Sequence, residues 1–268
     1  MTPALTLAWE TSPWLMRWPG RSLPAVRVLC CPNAGAGPSV FRALATTLPG
    51  VADVWACHLP GRETRLNEAP PSDLDAVADA VAAACPVLDG LPLVLFGHSM
   101  GALLAFELAH RLRTAAGRPP VALVVAGSRP PRDAGSSGNA PSCALSDAGL
   151  QDLLCAYDPG NAMVAAQPDL FRLLAPTLKA DIAMLRRYRM RARPPLDCPV
   201  HVWGGTDDPF VPVSGLEGWR ETTTGETHCL AFPGGHFFLF RESQAAVVTA
   251  FGRVLRSAYR PGPPRYAK

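Results

Sequence analysis

The strongest constraint on the fold is a repeated pattern in which short, apolar, β-rich runs alternate with stretches of helical periodicity. Such runs occur at residues 26–31, 54–58, 93–96, 121–126, 200–203 and 229–232. Strands that are almost continuously apolar and are separated by helices are typical of a parallel sheet with helices on both faces. The pattern therefore predicts an α/β fold with a mostly parallel sheet.

The intervening helices have recognisable ends. The composition predicts an N-cap at Ser72 for a helix that ends before Pro86. Residues 101–114 are apolar over most of the helix circumference, as expected of a helix packed onto a sheet. A last helix is predicted at residues 244–259, and the prolines from Pro261 onward cannot continue it.

The alternation is interrupted once, between the fourth and fifth of these runs. Residues 129–198 are too many for an ordinary connection, and they contain helical segments at 146–156 and 168–191. Long inserts of this kind are usually functional, so we expect residues 129–198 to form a helical lid. Residues 1–128 and 199–268 would then form the core. The alternative is that residues 129–198 form a surface insertion without a functional role.

Composition excludes several function classes. A net charge of +3 in 268 residues is too small for a surface that tracks nucleic-acid phosphates. The apolar runs fall short of the ~18 residues that a membrane span needs, and the first twenty residues do not resemble a signal peptide. The eight cysteines lack metal-ligand spacing, so we expect reduced thiols, a cytoplasmic location, no metal and no organic cofactor.

A candidate nucleophile follows the run at residues 93–96. Gly97, Ser99 and Gly101 form a G-x-S-x-G sequence between this predicted strand and a predicted helix. A strand that turns directly into a helix strains the backbone at the serine, and the small neighbours let the turn close with the hydroxyl exposed. This placement predicts a nucleophilic Ser99. A serine that merely caps the helix is the alternative.

A serine hydroxyl needs a base, and the base needs an acid that orients it. His236 lies in a Gly-Gly-His loop just after the last strand, whereas the other histidines lie in predicted strands, in a helix or in the serine turn itself. Asp207 and Asp208 both follow the strand at residues 200–203, at a carboxyl end where such sheets place their sites. We favour Asp208 because Pro209 stiffens the turn after it, and Asp207 remains the alternative.

Attack by a serine creates an oxyanion that needs preorganised donors. One donor is expected to be the backbone N–H of Met100, and the other the N–H of Ala34 in the small-residue loop at 31–37. A plain glycine-rich turn is the alternative for this loop.

With these features the chain resembles the type II (external) thioesterases of polyketide and nonribosomal peptide synthesis, members of the α/β-hydrolase family. The resemblance rests on the segments at residues 31–35, 58–65, 96–102, 105–108, 178–181, 187–188, 205–209 and 234–237. The Pro-Gly-Arg-Glu block and the Ala-Asp pair within the predicted lid are its most discriminating parts. Asn33 and Ala36 depart from the family pattern.

The resemblance implies an α/β-hydrolase fold and hydrolysis of acyl thioesters on the phosphopantetheine arm of an acyl or peptidyl carrier protein. Such an editing enzyme clears short, stalled acyl groups from antibiotic assembly lines. Asn33, Phe171 and Met184 are the expected substrate-binding residues, although the apolar lid residues are equally compatible with simple packing. A set of lid arginines would either steer an acidic carrier protein or form a solvated helix end: Arg186, Arg187, Arg189, Arg191 and Arg193.

Two alternatives remain open at this point. A general carboxylesterase or acyltransferase would use the same three side chains without a preference for carrier-bound substrates. A binding module on a hydrolase fold would not need Ser99 at all.

Overall fold

The strands lie side by side in one twisted sheet. The computed structural model describes residues 12–18, 23–115, 118–134 and 146–259, and within them the sheet has seven strands in the order β1-β3-β2-β4-β5-β6-β7. The strands are β1 Leu15–Trp18, β2 Val26–Cys31, β3 Ala52–Cys57, β4 Leu93–His98, β5 Ala122–Ala126, β6 Val200–Gly205 and β7 Thr227–Phe232. Strand β1 is antiparallel to β3, and all other neighbouring pairs are parallel. The predicted mostly parallel sheet is confirmed.

Helices cover both faces of this sheet. They are α1 Arg42–Thr47, α2 Leu74–Ala84, α3 Met100–Ala115, α4 Asp147–Tyr157, α5 Ala162–Ala165, α6 Pro168–Arg187 and α7 Gln244–Ala258. One buried cluster lies between the sheet and α2 and α3, and a second lies between the opposite face and α1 and α7. Aromatic rings fill the second cluster, where Phe96 and Phe251 meet edge to face with centroids 5.3 Å apart. Within the described residues, no helix is both long and apolar enough to cross a membrane.

The structure differs from the sequence expectations at element ends and at one edge strand. Strand β1 was not predicted because it has four residues, three of them only half-buried, and so carries no clear periodicity. The N-cap of α2 is Asp73 and not Ser72, because the Asp73 carboxylate accepts the N–H of Asp75 at 2.9 Å. Helix α6 ends at Arg187, four residues before the predicted end, as Tyr188 leaves the helical conformation. The C-terminal prolines lie outside the described residues.

The segment between β5 and β6 builds its own small packing unit. Helices α4, α5 and α6 lie in it, and Leu150, Phe171 and Ala175 form a buried cluster between α4 and α6. This segment follows the carboxyl end of β5, next to the end of β4 in the sheet. The helices therefore pack beside the edge at which the sheet presents Ser99.

Candidate active site

Ser99 occupies the sharp turn between β4 and α3. Its φ is +56°, a left-handed conformation that is strained for a residue with a side chain. A Cβ added to Gly97 would lie 2.1 Å from the Gly101 carbonyl oxygen, and one added to Gly101 would lie 1.9 Å from that of Cys31. The two glycines of the motif are therefore sterically required by the close approach of β2, β4 and α3.

The structure brings three of the predicted side chains together. His236 Nε2 lies 2.9 Å from Ser99 Oγ, and His236 Nδ1 lies 2.7 Å from Asp208 Oδ2. Because a carboxylate only accepts, Nδ1 carries the proton and Nε2 is left to accept the hydroxyl of Ser99. The imidazole is thus held in the tautomer that can take a proton from the serine.

Asp208 is fixed by its own loop. Its second oxygen, Oδ1, accepts the N–H groups of Phe210 at 2.9 Å and Val211 at 3.1 Å, and its side chain is fully buried. The neighbouring Asp207 is exposed, and its carboxylate accepts from Thr206 Oγ1 and from the N–H of Gly234. Only Asp208 faces the imidazole.

His98 supports the loop that carries His236. It is buried beneath that loop, and its Nε2–H donates to the His236 carbonyl at 2.9 Å. Burial lowers the pKa of His98 to about 3, with a smaller contribution from His236, so the ring is neutral. The serine turn and the histidine loop are thereby connected by a second contact besides the Ser99 hydroxyl.

Two backbone N–H groups next to Ser99 are free to donate. Within the described part of the chain, neither the N–H of Met100, at the first position of α3, nor that of Ala34 donates to an acceptor. The next amide, that of Gly35, is occupied, because it donates to Asp181 Oδ2 at 2.7 Å. Of these two neighbouring amides, only that of Ala34 is without an acceptor among the described residues.

Ser99 opens onto two cavities. One of about 160 Å³ lies towards Arg129 and Phe210, and one of about 60 Å³ lies towards Asn33 and Ala34. Ser99, Tyr157, Leu185 and His236 line both of them. The other residues of the smaller cavity that come from the segment between β5 and β6 are Leu153, Leu154, Asn161, Leu178 and Ile182. The smaller cavity is thus a mainly apolar space between the loop at residues 31–37 and helices α4 and α6.

The predicted substrate-binding residues separate into two groups. Asn33 lines the smaller cavity, next to Ala34. Phe171 instead packs against Leu150 inside the insert, and Met184 is buried in the cluster shared with α2 and α3. Helix α6 turns other side chains to the cavity, so the structure does not bring Phe171 or Met184 to Ser99.

The arginines at the end of α6 and just after it are engaged with the core. Arg193 binds the Glu107 carboxylate of α3, Arg191 binds Asp75 of α2 at 2.9 Å, and Arg187 donates to the Ser72 carbonyl at 3.1 Å. These contacts favour a structural role for these arginines over the steering of an acidic carrier protein.

Tyr157 was missed by the sequence analysis. Its ring lies 4.6 Å from the His236 ring and 4.0 Å from the Phe210 ring. Burial, followed by the Asp208 charge, raises the pKa of Tyr157 to about 12, so its hydroxyl stays protonated. Its position at the last residue of α4, at helical spacing from other apolar residues, was the available signal, but spacing alone does not distinguish a cavity wall from packing.

The comparisons with known proteins agree with this geometry. Residues 26–255 match the family model of the thioesterase domain. The gramicidin S biosynthesis protein GrsT of Aneurinibacillus migulanus is 31% identical over 263 residues, which cover 96% of this chain and 99% of that protein.

Solved structures give the same result. The RedJ thioesterase from the prodiginine biosynthetic pathway of Streptomyces coelicolor is 34% identical with a TM-score of 0.80, covering 88% of this chain and 94% of that one. The type II thioesterase BorB from the borrelidin biosynthetic cluster is 32% identical with a TM-score of 0.81, covering 92% of this chain and 99% of that one. This chain therefore belongs to the thioesterase family, with the α/β-hydrolase fold.

Proposed function

We propose that the protein hydrolyses acyl thioesters on the phosphopantetheine arm of acyl or peptidyl carrier proteins and so edits polyketide or nonribosomal peptide assembly lines. The observation that carries this proposal is the relay from Ser99 through His236 to Asp208, next to free backbone donors and beneath the helices of the insert. The relatives give it a context, since they are named for gramicidin S, prodiginine and borrelidin biosynthesis.

In the first half-reaction Ser99 acts as nucleophile. Its Oγ attacks the thioester carbonyl carbon while its proton passes to His236 Nε2, and the Asp208 carboxylate stabilises the imidazolium that forms. The carbonyl electrons move onto oxygen, where the N–H groups of Met100 and Ala34 donate to the oxyanion. Collapse of this intermediate breaks the C–S bond and leaves the acyl group on Ser99.

The leaving thiol suits this arrangement. A thiol with a pKa near ~8.5 departs with less protonation than an alkoxide needs, and His236 returns its proton to the sulfur. Water then loses a proton to His236 Nε2 and attacks the acyl-serine ester. The products are a carboxylic acid, a free phosphopantetheine thiol and regenerated Ser99.

We also propose the division of the chain into a core of residues 1–128 and 199–268 and a lid of residues 129–198. This is supported by the contributions of Tyr157, Leu178 and Leu185 from the insert to the walls around Ser99. The smaller cavity, with Asn33 at its wall, is the proposed chamber for a short acyl group.

A cytoplasmic location is proposed as well. Most of the described cysteines are buried in the core, where a thiol packs as a small apolar side chain. Reduced thiols of this kind are usual in proteins of reducing compartments.

The test is a release assay on a carrier protein loaded with a short acyl group. We expect rapid release by the natural chain, none above background by Ser99→Ala, and slower turnover of a p-nitrophenyl ester of the same acid. Equal efficiency on the carrier-bound thioester and the ester would instead indicate a general esterase. Full activity of Ser99→Ala would indicate that hydrolysis does not use this serine.

A further inference from the structure

One buried carboxylate of the insert contacts the loop at residues 31–37, which carries the proposed oxyanion donor Ala34 and is called the oxyanion loop below. Asp181, on α6, is fully buried, and its Oδ2 accepts the backbone N–H of Gly35 at 2.7 Å. The contact joins residues 146 positions apart in the chain. Gly35 directly follows Ala34, whose N–H is the proposed loop donor to the oxyanion.

The same carboxylate is held by a buried arginine of the core. Arg62 Nη1 donates to Asp181 Oδ2 at 2.8 Å, and Nη2 donates to Oδ1 at 3.0 Å. Arg62 Nη1 also donates to the Ala36 carbonyl at 3.2 Å, so the arginine holds the loop one residue beyond Gly35. With only 3% of the arginine side chain exposed, this bidentate pair is screened little by solvent.

The backbone conformation of the loop depends on these contacts with Asp181 and Arg62. Gly35 has φ of +75°, and a Cβ placed there would lie 3.1 Å from the Leu178 side chain of α6. A left-handed glycine has many alternatives in a free loop, so its conformation must be imposed by contacts. Both contacts come from α6: Asp181 accepts the Gly35 amide, and Leu178 lies next to the Gly35 α-carbon.

We propose that Asp181 is a positioning residue for the oxyanion hole: by taking the Gly35 amide while paired with Arg62, it orients the adjacent Ala34 amide towards Ser99. Helix α6 also supplies Leu178, Ile182 and Leu185 to the cavity wall. The helix that bounds the acyl chamber is thus the helix that assembles the oxyanion hole. Oxyanion stabilisation therefore requires α6 to be seated on the core.

The test compares Asp181→Asn with a matched variant elsewhere. Glu107 is also buried and also bonds arginines, one of them from the segment after α6, but it has no contact with the oxyanion loop. Glu107→Gln removes the same charge and is the control for destabilisation alone. Both variants are assayed on a small acyl thioester such as acetyl-N-acetylcysteamine, which involves no carrier protein.

For Asp181→Asn we expect kcat to fall about 10- to 100-fold with KM changed less than about threefold. The reason is that a misplaced donor weakens the stabilisation of the oxyanion, which develops only in the transition state. Affinity for a trifluoromethyl ketone, which forms a tetrahedral adduct with serine, should fall by the same factor. Glu107→Gln should keep kcat within about twofold while lowering the unfolding midpoint. Equal kcat in the two variants, or unchanged ketone affinity in Asp181→Asn, would overturn the proposal.

A second variant covers the case in which Asp181→Asn fails to fold. In the double variant Arg62→Met with Asp181→Leu, apolar side chains of similar volume replace the ion pair and no buried charge is left unpaired. We expect it to fold and to retain less than a tenth of the natural kcat, because leucine has no oxygen that could accept the Gly35 N–H. Natural turnover by the folded double variant would refute the role of Asp181.

This inference rests on the proposed serine mechanism and not on the identity of the carrier-bound substrate. If the natural chain failed to release acyl groups from a carrier protein but Asp181→Asn still lowered small-thioester kcat and ketone affinity, the substrate proposal would fail alone. If Asp181→Asn behaved like Glu107→Gln while carrier release was intact, the positioning proposal would fail alone.

Discussion

At the residue scale, the side chains of Asp207 and Asp208 point in different directions, and only that of Asp208 contacts His236. Asp208 accepts two loop amides and His236, whereas Asp207 is exposed and accepts from the Thr206 hydroxyl and from the Gly234 amide. We expect Asp208→Asn to lower kcat by about 10³- to 10⁴-fold, because an amide cannot hold the Nδ1–H tautomer, and Asp207→Asn to change it less than about threefold. Steady-state hydrolysis of a small acyl thioester measures both, and similar losses would argue against Asp208 as the acid.

Tyr157 is the aromatic residue of α4 that lines both cavities, and its ring packs on Phe210 and His236. Removing the ring in Tyr157→Ala should enlarge the space near Ser99. We expect the kcat/KM ratio for octanoyl over acetyl thioester to rise about tenfold, the size of effect that one or two methylenes have in an apolar pocket. Tyr157→Phe keeps the ring and should leave the ratio unchanged; a shift in that variant too would assign the effect to the hydroxyl.

At the scale of elements, Glu107 joins the insert to α3. Its carboxylate accepts from Arg111 Nη1 at 2.8 Å and from the Tyr188 hydroxyl at 2.8 Å, and it pairs with Arg193. Glu107→Ala would leave two little-exposed guanidinium groups without this partner. We expect the free energy of unfolding to fall by about 3–5 kcal/mol while kcat stays within about twofold.

Urea unfolding measures this difference. The control is Glu226→Gln, which changes a largely exposed carboxylate beside His228 and should alter stability by no more than about 0.5 kcal/mol. If the two variants had the same midpoint, the Glu107 cluster would contribute nothing beyond an ordinary surface pair.

At the scale of the whole molecule, buried histidines make stability depend on pH. Burial is the main cause that lowers the pKa of His98 to about 3, of His110 to about 3 and of His201 to about 4, from an ordinary value near 6.5. Between these values the unfolded chain binds more protons than the folded one. Their contribution to stability is therefore complete above pH ~6.5 and is lost progressively as the pH falls from there towards ~3.

We expect the urea midpoint to be clearly lower at pH 5.0 than at pH 7.5. His201→Gln removes one titrating side chain, so the unfolded chain takes up one proton fewer. The dependence of the unfolding free energy on pH should therefore become shallower by up to ~1.4 kcal/mol per pH unit. Identical midpoints at the two pH values would contradict the depressed histidine pKa values.

The amino-acid sequence by itself determined the six parallel strands β2 to β7, the helices α2, α3 and α7, and the approach of His236 to Ser99. Apolar runs report strands, and the carboxyl ends of parallel strands share one edge, so residues just after different strands must approach each other. The strained serine turn was readable as well, because the demand for Gly97 and Gly101 is local.

Only the tertiary structure decided which buried faces meet. Helical periodicity marks Met184 and Leu185 alike as apolar, but neighbouring side chains on a helix point about 100° apart, and only Leu185 faces Ser99. The contacts of Asp181 with Gly35 and Arg62 join residues more than one hundred positions apart. No local pattern encodes such a pairing, because it depends on where an entire helix settles on the core.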